Sequence, residues 1–120
     1  MAAYIKEPVI RQEEVLKVAD GDFNINNVCL VTGAGSGIGR ATAIAASVNN
    51  LMTVGLDIDA AAGKKTQALA RKLGGQMIFI KADLTKDGEM DYAVREAAKL
   101  GRIRYLANIA GIQHIDSIQN

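Results

Sequence analysis

The stretch Val28-Cys29-Leu30-Val31-Thr32-Gly33-Ala34-Gly35-Ser36-Gly37-Ile38-Gly39 decides how this chain folds. Its first four residues form a continuous apolar run, the pattern of a strand buried on both faces, and Thr32-Gly33 closes it. A glycine-rich turn follows. Beyond it, Ile38 to Asn50 reads as a helix whose Ala41, Ala43, Ala45 and Ala46 allow close approach to a sheet. Asn49-Asn50 predicts the helix end, because Asn tolerates the left-handed conformation usually given to Gly. A strand, a glycine turn and a helix in this order bring backbone N–H groups and the positive end of a helix dipole to a point where a phosphate or pyrophosphate can be received. Glycine is needed there because a Cβ would hold such a ligand away.

Outward from this stretch the alternation continues. Leu51 to Leu56 predicts a second apolar strand ending at Asp57. Ala62, Thr66, Leu69 and Leu73 recur at helical spacing, so a second helix spans about Ala60 to Leu73 and stops at Gly74-Gly75. Gln76 to Lys81 predicts a third strand. Thr85 is placed to cap a third helix carrying Met90, Ala93, Val94, Ala97 and Leu100 on one side, with Gly101 ending it. Ile103 to Asn108 predicts a fourth strand. Such alternation folds as right-handed βαβ units, an α/β doubly wound parallel sheet with strand order 3-2-1-4. Residues 1–26 read as an amino-terminal extension: Pro8, a polar stretch at Arg11-Gln12-Glu13-Glu14, a short helix through Lys17, and a turn at Asp20-Gly21-Asp22.

Three further strand ends carry polar or small residues. Asp57, with Ile58 beside it, lies eighteen positions after Gly39, close to the offset expected of an acid that grips a ribose diol. Capping the following helix is the simpler role for it. Its charge also selects: a 2′-phosphate about 4 Å away would cost on the order of 4 kcal/mol at an effective dielectric of about 20. No Lys or Arg adjoins it, and Ser36 rather than a basic residue precedes Gly37, so nothing there favours NADP. Asp83-Leu84 and Asn108-Ile109-Ala110-Gly111 end strands three and four. Ligands of open parallel sheets sit along these carboxyl ends, so convergence on one crevice is stronger evidence than any one motif.

Composition narrows the field. The chain has 120 residues, 49% hydrophobic and 22% charged, which is enough for one modest core. Fourteen basic against thirteen acidic residues leave a net charge of +1, giving no footprint for nucleic acid or an anionic membrane. The only cysteine, Cys29, excludes an internal disulfide and a multi-cysteine metal site, and within an apolar strand it reads as a small buried hydrophobe. No metal site is expected. His114, the sole histidine, has no nucleophile nearby and reads as structural or surface-exposed. No apolar run resembles a signal peptide or a membrane span, and a cytoplasmic protein is expected. A P-loop is excluded, since no Gly-Lys-Ser/Thr follows the glycines.

The chain resembles the short-chain dehydrogenase/reductase family. Thr32-Gly33-Ala34-Gly35-Ser36-Gly37-Ile38-Gly39 is similar to that family's Thr-Gly-x-x-x-Gly-x-Gly loop. Asp57 matches its NAD-selecting acid, Asp83-Leu84 its adenine-side pair, and Asn108-Ile109-Ala110-Gly111 its Asn-Asn-Ala-Gly segment, from which Ile109 departs. That departure puts a strand-tethering hydrogen bond in question. The resemblance covers about Val28 to Asp116 and implies a Rossmann-type fold binding NAD. Gly33, Ser36, Gly37, Ile38, Gly39, Asp57, Ile58, Asp83, Leu84, Asn108, Ala110 and Gly111 would hold the cofactor. Gly111-Ile112-Gln113-His114 also resembles 3-hydroxybutyrate dehydrogenases, in which a glutamine at the place of Gln113 helps hold the substrate carboxylate.

The family's proton donor is a Tyr followed four residues later by Lys. Four residues after Tyr4, Tyr92 and Tyr105 stand Pro8, Glu96 and Ile109, so no Tyr-x-x-x-Lys is present and no catalytic residue is assigned. The expectation is therefore an incomplete, four-stranded NAD-binding Rossmann half-domain over residues 27–120, ending before the catalytic segment and inactive alone. It would belong to an oxidoreductase acting on an alcohol or ketone, homo-oligomeric at full length. The competing expectations are an NAD-binding module without turnover, including a subunit completed by another chain, and an S-adenosylmethionine methyltransferase fragment. The latter usually carries an acid just before the glycine loop, where Val31-Thr32 stands. An unpaired outer edge on strand four also predicts low solubility.

Overall fold

The computed structural model describes residues 9–111. After a single 3₁₀ turn at Gln12–Glu14, the elements are β1 (Asn27–Thr32), α1 (Gly37–Val48), β2 (Met52–Asp57), α2 (Ala60–Lys72), β3 (Met77–Lys81), α3 (Glu89–Ala98) and β4 (Arg102–Asn108). The four strands form one parallel sheet in the order β3-β2-β1-β4. Both the alternation and the order match those read from the apolar runs.

The two central strands are buried on both faces, which is why they read as unbroken apolar runs rather than alternating ones. Cys29 and Val31 face α1 and α2, joining Ala43, Ile44, Val48, Ala70 and Met77. Val28 and Leu30 face the other way, with Val54, Leu56, Ala93 and Ala97 of β2 and α3. Burying each of Leu30, Ile44 and Leu56, all 2% exposed or less, stabilises the fold by about 1.5–3 kcal/mol. The edge strand β4 instead alternates exposed and half-buried residues. A register shift between Val28 and Cys29 in its pairing with β1 leaves Arg104 without a partner in the ladder.

Helix ends follow the expected chemistry in two cases. Asn49 is the C-cap of α1, and Asn50 takes φ 72°. Gly74 ends α2 at φ 89°. In α2 the predicted stripe holds at Thr66, Leu69 and Leu73, but the closest approach to the sheet is at Gly63, where any Cβ would collide with the Phe79 ring.

Two expectations are corrected. Thr85 does not cap α3: the helix begins four residues later, after Gly88 in the left-handed region at φ 83°. The Thr85 hydroxyl and amide both donate to Asp83, so the residues between Asp83 and Gly88 form a turn instead of a first helical turn. The extension carries no helix through Lys17. Its 3₁₀ turn stops at Glu14, Val15 is extended, and Lys17 reaches across to donate from Nζ to the Val48 carbonyl at 2.6 Å. Asn49 fastens the same strap: its Oδ1 accepts from the Val18 amide at 2.7 Å, and its Nδ2 donates to the Leu16 carbonyl at 2.8 Å. Phe23 packs edge-on against Tyr105 of β4. The turn at Asp20-Gly21-Asp22 forms as expected, closed by the Phe23 amide on the Asp20 carbonyl.

Candidate functional site

The carboxyl ends of all four strands border one cleft of about 750 Å³. Gly33, Ser36, Ile38 and Gly39 line it from the turn between β1 and α1. Asp57 and Ile58 line it from β2, Asp83 and Leu84 from the end of β3, and Asn108, Ala110 and Gly111 from β4. Four strand ends separated in sequence by up to 76 positions therefore meet, as a switch point in a doubly wound sheet requires, because β1 is flanked on opposite sides by β2 and β4. Leu56, Ala82, Thr85 and Ile109 also line the cleft and were not anticipated. Gln113 and His114 lie outside the described residues.

The glycine turn is shaped by close packing from behind. Gly33 has φ 70°, and a Cβ on it would stand 2.9 Å from the Ala110 amide nitrogen. A Cβ on Gly39 would overlap the Gly33 carbonyl, so α1 starts directly against the turn. Gly37 differs: at φ 56° it has nothing within 4 Å of the place a Cβ would take, leaving open space over the first turn of α1. Ser36 is the extended N-cap of that helix, and its hydroxyl makes no capping bond. A helix start with open space above it and no side-chain cap suits an anionic group.

Asp57 ends β2 half-buried, with both carboxylate oxygens engaged. Oδ2 accepts from the Gly35 amide at 2.8 Å and Oδ1 from the Asp59 amide at 2.9 Å. Capping of α2 falls to Asp59, whose Oδ1 accepts from the Ala62 amide at 3.1 Å. Asp57 is thereby released from the cap role. A carboxylate has about four lone-pair sites, so two remain for a diol. Among the described residues no basic side chain lines the cleft.

On the β3 side, Asp83 accepts from the Thr85 hydroxyl at 2.5 Å and the Thr85 amide at 3.0 Å. Those two bonds, the hydroxyl first, hold its carboxyl below the usual carboxylate range, with Lys86 adding a smaller push the same way. The Asp83 amide in turn donates to Glu89 Oε1 at 2.8 Å. Ile38, Ile58 and Leu84 stand exposed around the cleft, an apolar rim of the kind a flat heterocycle can cover.

On the β4 side the tether questioned at Ile109 is made by the backbone. Thr32 Oγ1 donates to Asn108 Oδ1 at 2.8 Å and accepts from the Ile109 amide at 2.9 Å and the Ala110 amide at 3.1 Å. The Ile109 side chain packs against the apolar cluster beneath α1. One hydroxyl thus joins the end of β1 to the whole turn after β4, and the loss of an Asn side chain at 109 does not open it.

Sequence reasoning missed Arg40 and Thr66, both buried behind the glycine turn. A signal was available: Arg40, Ala43, Ile44 and Ser47 lie on one helical stripe, so a charged residue stands on the inward face of α1. Among the described residues no group of three or more His, Cys, Asp or Glu could hold a metal ion, and no helix is long and apolar enough to cross a membrane.

Comparison with known proteins agrees with this geometry. The model of the short chain dehydrogenase family matches residues 27–120. An uncharacterized oxidoreductase of Thermotoga maritima is 36% identical over 92 residues, covering 77% of this chain and 36% of that protein. The crystal structure of a hydroxysteroid dehydrogenase from Escherichia coli superposes with TM-score 0.69 at 32% identity, covering 75% of this chain and 39% of the other. A short chain dehydrogenase/reductase from Burkholderia phymatum in complex with NAD superposes with TM-score 0.66 at 28% identity, covering 71% and 30%. The chain spans about a third of the length of the curated relatives it matches.

Proposed function

From the premise that the chain belongs to the short-chain dehydrogenase family, we propose that it is the NAD-binding portion of an oxidoreductase acting on a small alcohol or ketone. When bound, the nicotinamide would accept or deliver a hydride at the substrate carbon. The observation that carries the choice of NAD is Asp57, fixed beside a cleft with no basic lining residue among the described residues. Its free lone pairs suit the two hydroxyls of an adenosine ribose, and its charge repels a 2′-phosphate there.

The residues present fit the cofactor. Gly33, Ser36, Gly37, Ile38 and Gly39 would receive the pyrophosphate on backbone amides, where Gly37 leaves the open space. Asp57 and Ile58 would orient the adenosine ribose, Asp83 and Leu84 would border the adenine, and Asn108, Ala110 and Gly111 would flank the nicotinamide half. Gln113 is proposed to contact substrate. The 120 residues contain no Tyr-x-x-x-Lys, so the chain's proposed contribution is binding, with the proton donor supplied by residues outside them. A reducing, cytoplasmic setting and a homo-oligomeric whole enzyme complete the proposal. Family membership leaves the methyltransferase reading without support.

Titration calorimetry with NAD and NADP tests it. NAD is expected to bind and NADP to bind at least about tenfold more weakly, the factor that 1.4 kcal/mol gives. Asp57→Asn should narrow the gap. Equal affinities in the unaltered chain would overturn the NAD assignment, and no affinity for either would overturn the site. Turnover of hydroxyl substrates with NAD by the 120-residue chain would overturn the binding-only role.

A further inference from the structure

Behind the glycine turn, two polar side chains hold its carbonyl groups. Arg40 is 5% exposed and Thr66 fully buried. Arg40 Nη2 donates to the Gly35 carbonyl at 2.5 Å, and its Nε donates to Thr66 Oγ1 at 2.9 Å. Thr66 Oγ1 donates onward to the Ala34 carbonyl at 2.7 Å. A second contact of Arg40 Nη2, to the Ala62 carbonyl at 3.3 Å, anchors the guanidinium to α2. The opposite side of the same two residues is tied to β2: the Ala34 amide donates to the Leu56 carbonyl at 3.0 Å, and the Gly35 amide to Asp57 Oδ2 at 2.8 Å.

Peptide geometry turns these bonds into a constraint on the cleft. In a trans peptide the carbonyl of one residue and the N–H of the next point in opposite directions, and no peptide here is cis. Holding the Ala34 carbonyl on Thr66 therefore aims the Gly35 N–H away from Thr66, and there it meets Asp57. Holding the Gly35 carbonyl on Arg40 aims the Ser36 N–H away from Arg40, and Ser36 is one of the residues that line the cleft. No side chain fits at this position, since a Cβ on Gly35 would lie 2.7 Å from Asp57 Oδ2 and 3.0 Å from Ala62 Cβ.

We propose that Arg40, acting through Thr66 and the Gly35 carbonyl, is a positioning residue for the phosphate-facing peptides of the turn. A guanidinium with no place in the cleft lining then governs affinity for the pyrophosphate, a role that rests on the reading of this cleft as a dinucleotide site. Its fork is required as well as its charge: Nε and Nη2 reach two different acceptors at fixed separation, which a lysine ammonium on a single stem cannot reproduce.

The test compares ADP with adenosine, which share the base and ribose but not the phosphates, in the unaltered chain and in Arg40→Met, Arg40→Lys and Thr66→Val. Hydrogen exchange of the Gly35 amide is followed in the ligand-free proteins. Loss of a charged hydrogen bond that orders the turn should weaken ADP by about tenfold or more in Arg40→Met and adenosine, whose ribose meets the turn only through Asp57, by no more than about threefold. Arg40→Lys should recover only part of the loss, and Gly35 exchange should quicken. Thr66→Val is nearly isosteric and carries the same expectation should Arg40→Met not fold. Equal weakening of ADP and adenosine, or unchanged ADP affinity, would overturn the proposal. If the unaltered chain binds neither nucleotide, the site assignment fails by itself. Gly35 exchange then decides the bracket: quickening upholds it and unchanged exchange overturns it.

Discussion

Cys29 and Asp83 show how one residue's surroundings set its chemistry. Burial in β1 pushes the Cys29 thiol up from 9.0 to about 11, since a thiolate there would lose its water. Below pH 9 both folded and unfolded thiols are neutral and the group contributes no pH dependence. Between 9 and 11 only the unfolded thiol ionises, so stability should fall as pH rises, by on the order of 2–3 kcal/mol by pH 11. Urea midpoints from pH 8 to 11, compared with Cys29→Ala, check this; parallel curves for the two proteins would refute it. Asp83 works in the other direction. Its carboxyl is held low by Thr85, so its contribution is full above the ordinary carboxylate range and is lost as pH falls through the depressed value. The Thr85 amide resonance should therefore stay unchanged through the pH where exposed carboxylates titrate and move only below it. Titration together with those exposed carboxylates would contradict the expectation. Residues whose type is dictated by local chemistry, such as Gly33, Gly39 and Asp57, were legible from the sequence. Arg40 and Thr66 stand on inward stripes that the sequence shows, but their role was not legible, because it depends on which turn carbonyls α1 and α2 bring them against, and that is set by packing.

At the level of elements, the three helices and four strands were legible because apolar periodicity differs between buried strands and amphipathic helices. The start of α3 was not. Thr85 has good N-cap chemistry, yet Asp83 offers its hydroxyl and amide a nearer acceptor, and the turn this creates ends only at Gly88. The strap between residues 9 and 26 departs from its sequence pattern for a related reason. Its polar run suggests a helix, whereas its Ile10, Val15 and Phe23 are committed to the cluster beneath α1. Asn49 is the joint between strap and helix, with its side chain bonded to Leu16, Val18 and Ala45. Asn49→Ala should cost about 1–3 kcal/mol, as for a buried polar group left without its partner, and should speed proteolytic nicking within residues 16–25. Unchanged nicking would mean that the apolar contacts alone hold the strap.

For the whole molecule, the cleft and the strap divide the sheet between them. The cleft occupies the carboxyl ends of the strands, and the strap's hydrogen bonds gather at the end of α1, which lies toward their amino ends. The sheet has two edges among the described residues, β3 and β4. On β4, Leu106 is 59% exposed beside unpaired backbone, the arrangement that invites pairing with another chain. Leu106→Lys should raise the monomer fraction in light scattering without lowering the melting temperature. An unaltered association profile would remove the β4 edge as its cause. The doubly wound arrangement of the sheet could be read in the sequence because parallel crossovers have one hand and the apolar runs of β1 and β2 need helices on both faces. The alternating exposure of β4 could not, since it depends on what neighbours the last strand.

The strap also bears on the order in which the chain becomes structured during synthesis. Its hydrogen bonds at Leu16, Lys17 and Val18 all go to Val48 and Asn49, 31 to 33 positions later. Those partners emerge from the ribosome before any residue of β2, β3 or β4. At roughly 5–20 residues per second, several seconds separate completion of residue 49 from completion of β4. During that interval strap, β1 and α1 can close on one another, so the glycine turn is held between two joined elements before β4 is complete.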